Sequence, residues 1–144
     1  MKRFGILFLF LLPFIVDGQT KASDCTGKWI TEEGKSVVEI YEQNGQYFGK
    51  IIWIKNPLNK DGKPLIDNKN PDLSQRGKEI KGLVFMKNFT FDGKNMWKDG
   101  NLYDPESGNT YSGYLKLKSQ DILELRGYMG VSMLGRTSTW VRKK

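Results

Sequence analysis

Two arginines near the carboxyl end are the side chains best suited to bind an anion. Arg126 and Arg136 flank a glycine-rich segment that begins Gly127-Tyr128-Met129-Gly130. A guanidinium is planar, stays charged and matches the geometry of carboxylates and phosphates. An arginine inside a folded domain must be paired, because an unpaired buried charge is costly. Its partner would be Glu39 or Glu124, or else the carboxylate or phosphate of a ligand.

The acidic residues offer weaker possibilities. Asp104 and Glu106 share a tight turn, which could bind calcium or carry two catalytic carboxylates, but we favour ordinary turn chemistry, in which Asp104 caps backbone amides. Glu39 with Glu124 is the other possible catalytic pair, and a working separation of ~5 to 9.5 Å would be needed. The sequence has no histidine, which removes Ser-His-Asp and Cys-His catalysis and the usual zinc ligand sets. We therefore assign no catalytic residue, metal or cofactor, and a carboxylate-based hydrolase is the least favoured function.

Asp72 and Arg76 lie four residues apart after Asn70-Pro71. In a helical turn they would form an ion pair, with Asp72 near the positive end of the turn. We interpret this pattern as loop architecture. The alternative is that Arg76, held by Asp72, faces the mouth of a barrel and recognises an anionic head group through its planar guanidinium.

The elements that must position these residues are short β-strands, since no stretch has sustained 3.6-residue periodicity. Asn44-Gly45, between two runs rich in β-branched and aromatic residues, is a strong signal for a hairpin. The predicted strands are 28–31, 36–42, 46–55, 83–91, 95–98, 101–103, 110–118, 122–128 and 137–142. A meander of this kind predicts an all-β fold, a single small antiparallel barrel of eight or nine strands that closes on itself and exposes no edge.

Residues 56–81 interrupt the strand pattern. Pro57, Pro64 and Pro71 lie there among several Asn, Asp and Lys residues. This composition predicts a long excursion loop with one helical turn after Pro71. Loops of this length in a compact domain are usually functional or disordered.

Alternation within the strands leaves one question open. Leu123 and Leu125 alternate with Glu124, Arg126 and Tyr128. The polar set faces either water or a polar barrel interior, and the pattern alone does not choose between these two faces.

Tryptophan motifs lie at both ends of the predicted barrel. Gly27-Lys28-Trp29 opens the first strand, and Trp140-Val141-Arg142 closes the last. This arrangement resembles lipocalin-like barrels, in which an arginine of the last strand covers the indole of the first in a cation–π contact. The resemblance implies a structural role for Gly27, Trp29, Trp140 and Arg142, at the closed end.

A wider set of motifs runs along the chain. In order, it comprises Thr26-Gly27-Lys28-Trp29, Ser36-Val37-Val38-Glu39-Ile40-Tyr41, Asn70-Pro71-Asp72 with Arg76-Gly77, Tyr103-Asp104-Pro105 with Gly108 and Tyr111, Arg126-Gly127-Tyr128, and Gly135-Arg136-Thr137 with Trp140 and Arg142. In order and spacing it resembles domain-of-unknown-function family 2147, a family of small exported bacterial proteins. The resemblance covers about residues 26–142 and implies a lipocalin-like β-barrel with a signal peptide, but no assigned activity.

The amino terminus has the layout of a secretory signal peptide: Met1-Lys2-Arg3, then an uncharged apolar run over 4–16. That run is too short to cross a bilayer of ~30 Å as a helix. We predict cleavage after Gly18, with Ala22 as the alternative, then a flexible segment 19–25 and a barrel domain 26–142 with no transmembrane segment. The protein is thus expected to be periplasmic or secreted. Cys25, the single cysteine, cannot form an intramolecular disulfide.

The net charge of +7 is spread along the chain without a block of like charges. This pattern does not indicate a nucleic-acid partner, although a mild attraction to anionic surfaces is an alternative to simple solubility.

These observations favour a binding protein for a small amphipathic or anionic molecule, including a lipid-like one, held in or at the mouth of the barrel. Arg126 and Arg136 would anchor it, and Trp53, Tyr111 and Tyr128 would form apolar or stacking walls. The alternative is a structural or interaction module of the cell envelope, in which loop 56–81 binds a partner protein.

Overall fold

Eight antiparallel strands in up-and-down order close into one barrel in a computed structural model that describes residues 18–129 and 135–144. Strands β1 to β8 span Gly27–Ile30, Ser36–Gln43, Gln46–Ile54, Val84–Phe91, Met96–Asp104, Asn109–Ser119, Ile122–Tyr128 and Arg136–Arg142. Helical structure within the described residues is limited to the 3-10 turns Ala22–Cys25, Glu32–Gly34 and Leu73–Gln75. The prediction of an all-β closed antiparallel barrel is confirmed.

The predicted signal peptide, 1–18, lies outside the described residues except for Gly18. In the described part of the chain, no helix is long and apolar enough to span a membrane.

The strand boundaries predicted from turn residues are correct in one place and wrong in another. Asn44 and Gly45 have φ angles of 53° and 78°, as a two-residue hairpin turn of the primed type requires. The separation of the predicted strands 95–98 and 101–103 is wrong, because β5 continues through Asp99 and Gly100 with a bulge. Asp99 takes a φ of 61°, and the ring of Phe89 occupies the space that a Cβ on Gly100 would need. Core packing therefore keeps the strand continuous where local propensity favours a turn.

The alternation of side chains along β6 and β7 places their leucines inside the barrel. Leu115 and Leu117 of β6 and Leu123 and Leu125 of β7 are buried in the barrel core. Since neighbouring residues of a strand point to opposite faces, the side chain of Arg126 projects from the outer face of the barrel.

The Ala22–Cys25 turn, which the sequence predicts as part of a flexible segment, packs across one end of the barrel. Trp29 Nε1 donates to the carbonyl of Cys25 at 2.8 Å, and Trp97 Nε1 donates to the carbonyl of Ala22 at 3.0 Å. Cys25 is fully buried, and desolvation raises the pKa of its thiol far above the usual range. This turn is the plug of the closed end.

Arg142 ties the plug to the barrel. Its guanidinium lies 4.2 Å from the centroid of the Trp29 ring. It donates to the carbonyls of Thr26, Asp24 and Gln120 at 2.8, 2.7 and 2.7 Å. One side chain therefore joins the last strand, the first strand, the plug and the β6–β7 turn.

Replacing Arg142 by Met is expected to lower the free energy of unfolding by about 3 kcal/mol or more, because it removes a cation–π contact and hydrogen bonds from a charged donor. Urea unfolding followed by circular dichroism measures this. Arg136→Met is the matched control, since the Arg136 side chain is 85% exposed against 23% for Arg142, and it should change the value by less than about 0.5 kcal/mol. Equal effects of the two substitutions would contradict the assigned role of Arg142.

Candidate functional site

Among residues 18–129 and 135–144, no side chains fill the end of the barrel opposite the plug. A cavity of about 350 Å³ opens there between facing strands. Its inward-facing walls are Val38, Ile51, Phe85, Leu102, Tyr111, Leu125, Ser138 and Trp140. An adjoining cavity of about 560 Å³ shares Leu102, Tyr111, Leu125 and Ser138 with it and extends to Tyr128. We call this combined space the cup.

The floor of the cup is the packed core. Trp97, Phe89, Met86 and Leu115 are fully buried beneath it. The rings of Trp97 and Phe91 pack in a tilted arrangement, with 5.0 Å between their centroids. In the part of the chain that the structure describes, the lower half of the barrel is therefore closely packed, and the upper half holds the space for another molecule.

Charged residues surround the opening of the cup. Arg136 Nη2 lies 3.8 Å from a carboxylate oxygen of Glu32, and Lys35 Nζ lies 3.1 Å from one of Glu33. Three of these side chains are at least 70% exposed and that of Glu32 is 45% exposed. Ion pairs that are exposed to this extent contribute little to stability. The two cations are thus available to an incoming anion at small cost.

Asp104 also lines the opening, but its carboxylate is already occupied. Its oxygens accept from the backbone N–H of Glu106 at 3.0 Å and from the hydroxyl of Ser107 at 2.7 Å. These are the bonds of a turn cap, the role the sequence favours for this residue.

Loop 56–81 folds back on itself and forms a side wall beside the opening. Bridges pair Leu58 with Pro64 and Ile66 with Glu79. A further cavity of about 540 Å³ lies between this loop and the rim, and Lys35 and Ile51 line both this cavity and the cup. The loop thereby extends the apolar surface of the cup outward.

A buried carboxylate fastens the loop to the barrel. Asp67, which is 1% exposed, is the buried charged residue of the described chain. It accepts from the Tyr103 hydroxyl at 2.6 Å and from the Asn70 amide at 2.8 Å. Burial, then the hydrogen bond to Asp67 and its negative charge, raise the pKa of Tyr103 to about 12. Sequence reasoning missed Asp67, because nothing distinguishes it from the other acids of a polar loop.

The predicted pairing of Asp72 with Arg76 is not among the contacts of the described residues. Asp72 instead accepts from the backbone N–H and the hydroxyl of Ser74, at 3.0 and 2.7 Å. Arg76 Nε donates to the carbonyl of Asn70 at 2.7 Å. The 3-10 turn is too short to bring residues four apart together, so Arg76 braces the loop.

Some of the predicted binding residues meet at the cup. Arg136 and Tyr111 line it, and Tyr128 lies at its edge. The Tyr128 side chain shares the outer face with Arg126, and its ring packs 6.5 Å from that of Tyr114. Arg126 does not line the cup, since its Nη1 donates to the Thr137 hydroxyl at 2.7 Å on the outer face.

The predicted carboxylates and Trp53 lie outside the barrel. Glu124 is 3.9 Å from Lys118 Nζ. Glu39, on β2, is separated from Glu124 by β1 and β8, roughly 14 Å over three strand spacings, which is too far for a catalytic pair. Trp53 is 47% exposed.

Comparison with known proteins places this geometry among bacterial barrels. The sequence model of a family described as "Uncharacterized protein conserved in bacteria (DUF2147)" matches residues 27–142. A solved structure described as "Protein HP1028 from the human pathogen Helicobacter pylori belongs to the lipocalin family" is similar, with a TM-score of 0.71 and 30% sequence identity. The likeness covers 83% of this chain and 82% of that one. No curated protein matches the chain.

Replacing Tyr103 by Phe is expected to cost about 1–2 kcal/mol at neutral pH, because it leaves the buried carboxylate of Asp67 without its hydroxyl donor. The folded state holds the Tyr103 proton up to about pH 12, whereas the unfolded chain releases it near pH ~10. The stabilisation is therefore complete below pH ~10 and is lost as the pH rises through that window.

Denaturant unfolding as a function of pH measures both effects. Tyr114→Phe, on the outer face, is the control, and its free energy of unfolding should follow that of the wild type at each pH. If the Tyr103→Phe protein lost stability between pH ~10 and ~12 as steeply as the wild type does, the coupling of Tyr103 to Asp67 would be refuted.

Proposed function

We propose that this chain, which belongs to the DUF2147 family of uncharacterized proteins conserved in bacteria, binds a small amphipathic molecule in the cup of its lipocalin-like barrel. The observation that carries the proposal is the cup itself, an apolar space at one end of a barrel whose other end is solid. Eight-stranded barrels of this size hold one small ligand in lipocalins. Pockets of a few hundred Å³ with apolar walls and a few polar groups are typical ligand sites.

The apolar part of the ligand would lie against Phe85, Leu102, Tyr111 and Leu125. These residues come from four successive strands, β4 to β7, and all of them line the same cavity. Burial of apolar surface contributes roughly 25 cal/mol per Å², so these walls supply the main attraction. Because Trp97 and Phe89 fill the lower barrel, the apolar part must be short.

The polar part of the ligand would remain at the opening. Arg136 and Lys35 line the cavity there, each beside a glutamate that is itself exposed. A ligand carboxylate or phosphate could replace these glutamates, and a guanidinium binds such groups in a bidentate manner. An anionic head group fits this rim, with Arg136 as its main contact.

The proposed setting is the periplasm or the exterior of the cell. The charged start and the short apolar run of the sequence support export. An exported barrel with an apolar cup is suited to carry a molecule that is poorly soluble in water.

The test uses decanoate as the probe, with decanol as its uncharged counterpart, in isothermal titration calorimetry. Phe85→Ala should weaken binding of both on the order of tenfold, because it removes part of the apolar wall. Arg136→Gln should weaken decanoate by about tenfold and leave decanol unchanged, since only the carboxylate meets the guanidinium.

Arg126→Gln is the matched control, because this arginine projects from the outer face and should leave both affinities within about twofold. In a series of longer carboxylates, the affinity should increase with chain length only until the chain exceeds the depth of the cup. Failure of every carboxylate and alcohol to bind, or binding that neither Phe85→Ala nor Arg136→Gln weakens, would refute the proposal.

A further inference from the structure

A second apolar surface lies on the outside of the barrel, where β3 departs from regular alternation. The register of β2 with β3 shifts between the pairs Val38–Ile51 and Val37–Trp53, which leaves Ile52 as an extra residue. Such a bulge puts two residues of one strand opposite one of the partner and re-aims their side chains. Ile51 lines the cup, whereas Ile52 and Trp53 both line a groove of about 410 Å³ outside it.

The groove continues across the neighbouring strands. Trp53 pairs with Val37, Val37 with Ile30, and Ile30 with Val141. These residues form one apolar row over β3, β2, β1 and β8. Trp53 and Val141 are each 47% exposed, Ile30 is half-buried and Val37 is buried. The strip therefore faces water mainly at its two ends, and exposed apolar surface of this kind occurs at sites of protein or membrane contact.

The wall of the groove carries positive charge. The charged residues that line the groove are Lys28 and Lys143. Glu39 lies opposite Lys28 in the register, yet no ion pair between them occurs in the described part of the chain. The whole chain carries a net charge of +7, which adds a long-range attraction toward anionic surfaces.

We propose that this outer groove docks the protein on the surface of an anionic lipid bilayer. Tryptophan is enriched at the level of lipid head groups, where its amphipathic ring is favoured. Lysines beside it can lay their alkyl stems along the apolar strip while their ammonium groups contact lipid phosphates. The docking is peripheral and uses a different face from the cup, so it is independent of the ligand proposed above.

Tryptophan fluorescence offers a direct test, because the other three tryptophans, Trp29, Trp97 and Trp140, are 0%, 0% and 3% exposed. Vesicles of phosphatidylglycerol with phosphatidylcholine should bind the protein at low salt, shift the emission to the blue and protect Trp53 from acrylamide. Phosphatidylcholine vesicles should bind the protein far less, and added salt should weaken its binding to the vesicles that contain phosphatidylglycerol.

The variants separate this docking from general attraction of a basic protein. Lys28→Gln with Lys143→Gln should weaken vesicle binding about 25-fold, since each lysine near such a surface contributes about fivefold. Trp53→Ser should weaken it on the order of tenfold. The matched control, Lys87→Gln with Lys94→Gln on β4 and the β4–β5 turn, removes the same charge from another face and should have a much smaller effect. Phe85→Ala, which alters the cup, should leave vesicle binding intact.

Three outcomes would overturn the proposal. The first is no binding to anionic vesicles at low salt. The second is vesicle binding that Lys28→Gln with Lys143→Gln weakens no more than Lys87→Gln with Lys94→Gln does, and that Trp53→Ser leaves unchanged. The third is protection of Trp53 without vesicles together with a dimer mass in sedimentation, which would assign the groove to a second copy of the chain.

Discussion

The contact between the guanidinium of Arg142 and the indole of Trp29 holds the ends of this barrel together. The closing ladder between β1 and β8 is short, with Trp29 opposite Arg142 and Ile30 opposite Val141. A short ladder supplies few hydrogen bonds, so the seam relies on side chains. Arg142 reinforces it by bonding three backbone carbonyls. Gly27, with a φ of 116°, leaves room for the guanidinium, since a Cβ at this position would lie 3.1 Å from Arg142 Nη1.

Because the plug closes one end of the barrel, its two halves are filled by side chains to different extents. The plug carbonyls satisfy the indole N–H groups of Trp29 and Trp97, so large aromatic residues can be buried at the closed end without an unpaired donor. They fill the lower half of the barrel. The upper half, which has smaller residues such as Ser138 and Gly127 facing inward, is left as the cup.

Loop 56–81 shows how a polar segment can become part of an apolar site. Its backbone pairs with itself at Ile66 and Glu79, and the buried carboxylate of Asp67 fixes it to Tyr103. Leu65 and Ile80 can then face the cavity beside the rim. The bulge at Ile52 has the opposite effect, since it turns apolar side chains outward.

The sequence by itself determined the all-β class, the closed antiparallel barrel and the hairpin at Asn44-Gly45, because turn residues and period-2 alternation are local signals. It also identified Arg142 and Trp29 through their likeness to lipocalin-like barrels. Alternation specifies two faces but not which is inside, so only the tertiary structure put Arg126 and Glu124 outside and Arg136 at the cup. The bulges at Asp99-Gly100 and Ile52, the burial of Asp67 and the plug depend on contacts between residues far apart in the chain. No local pattern encodes such contacts.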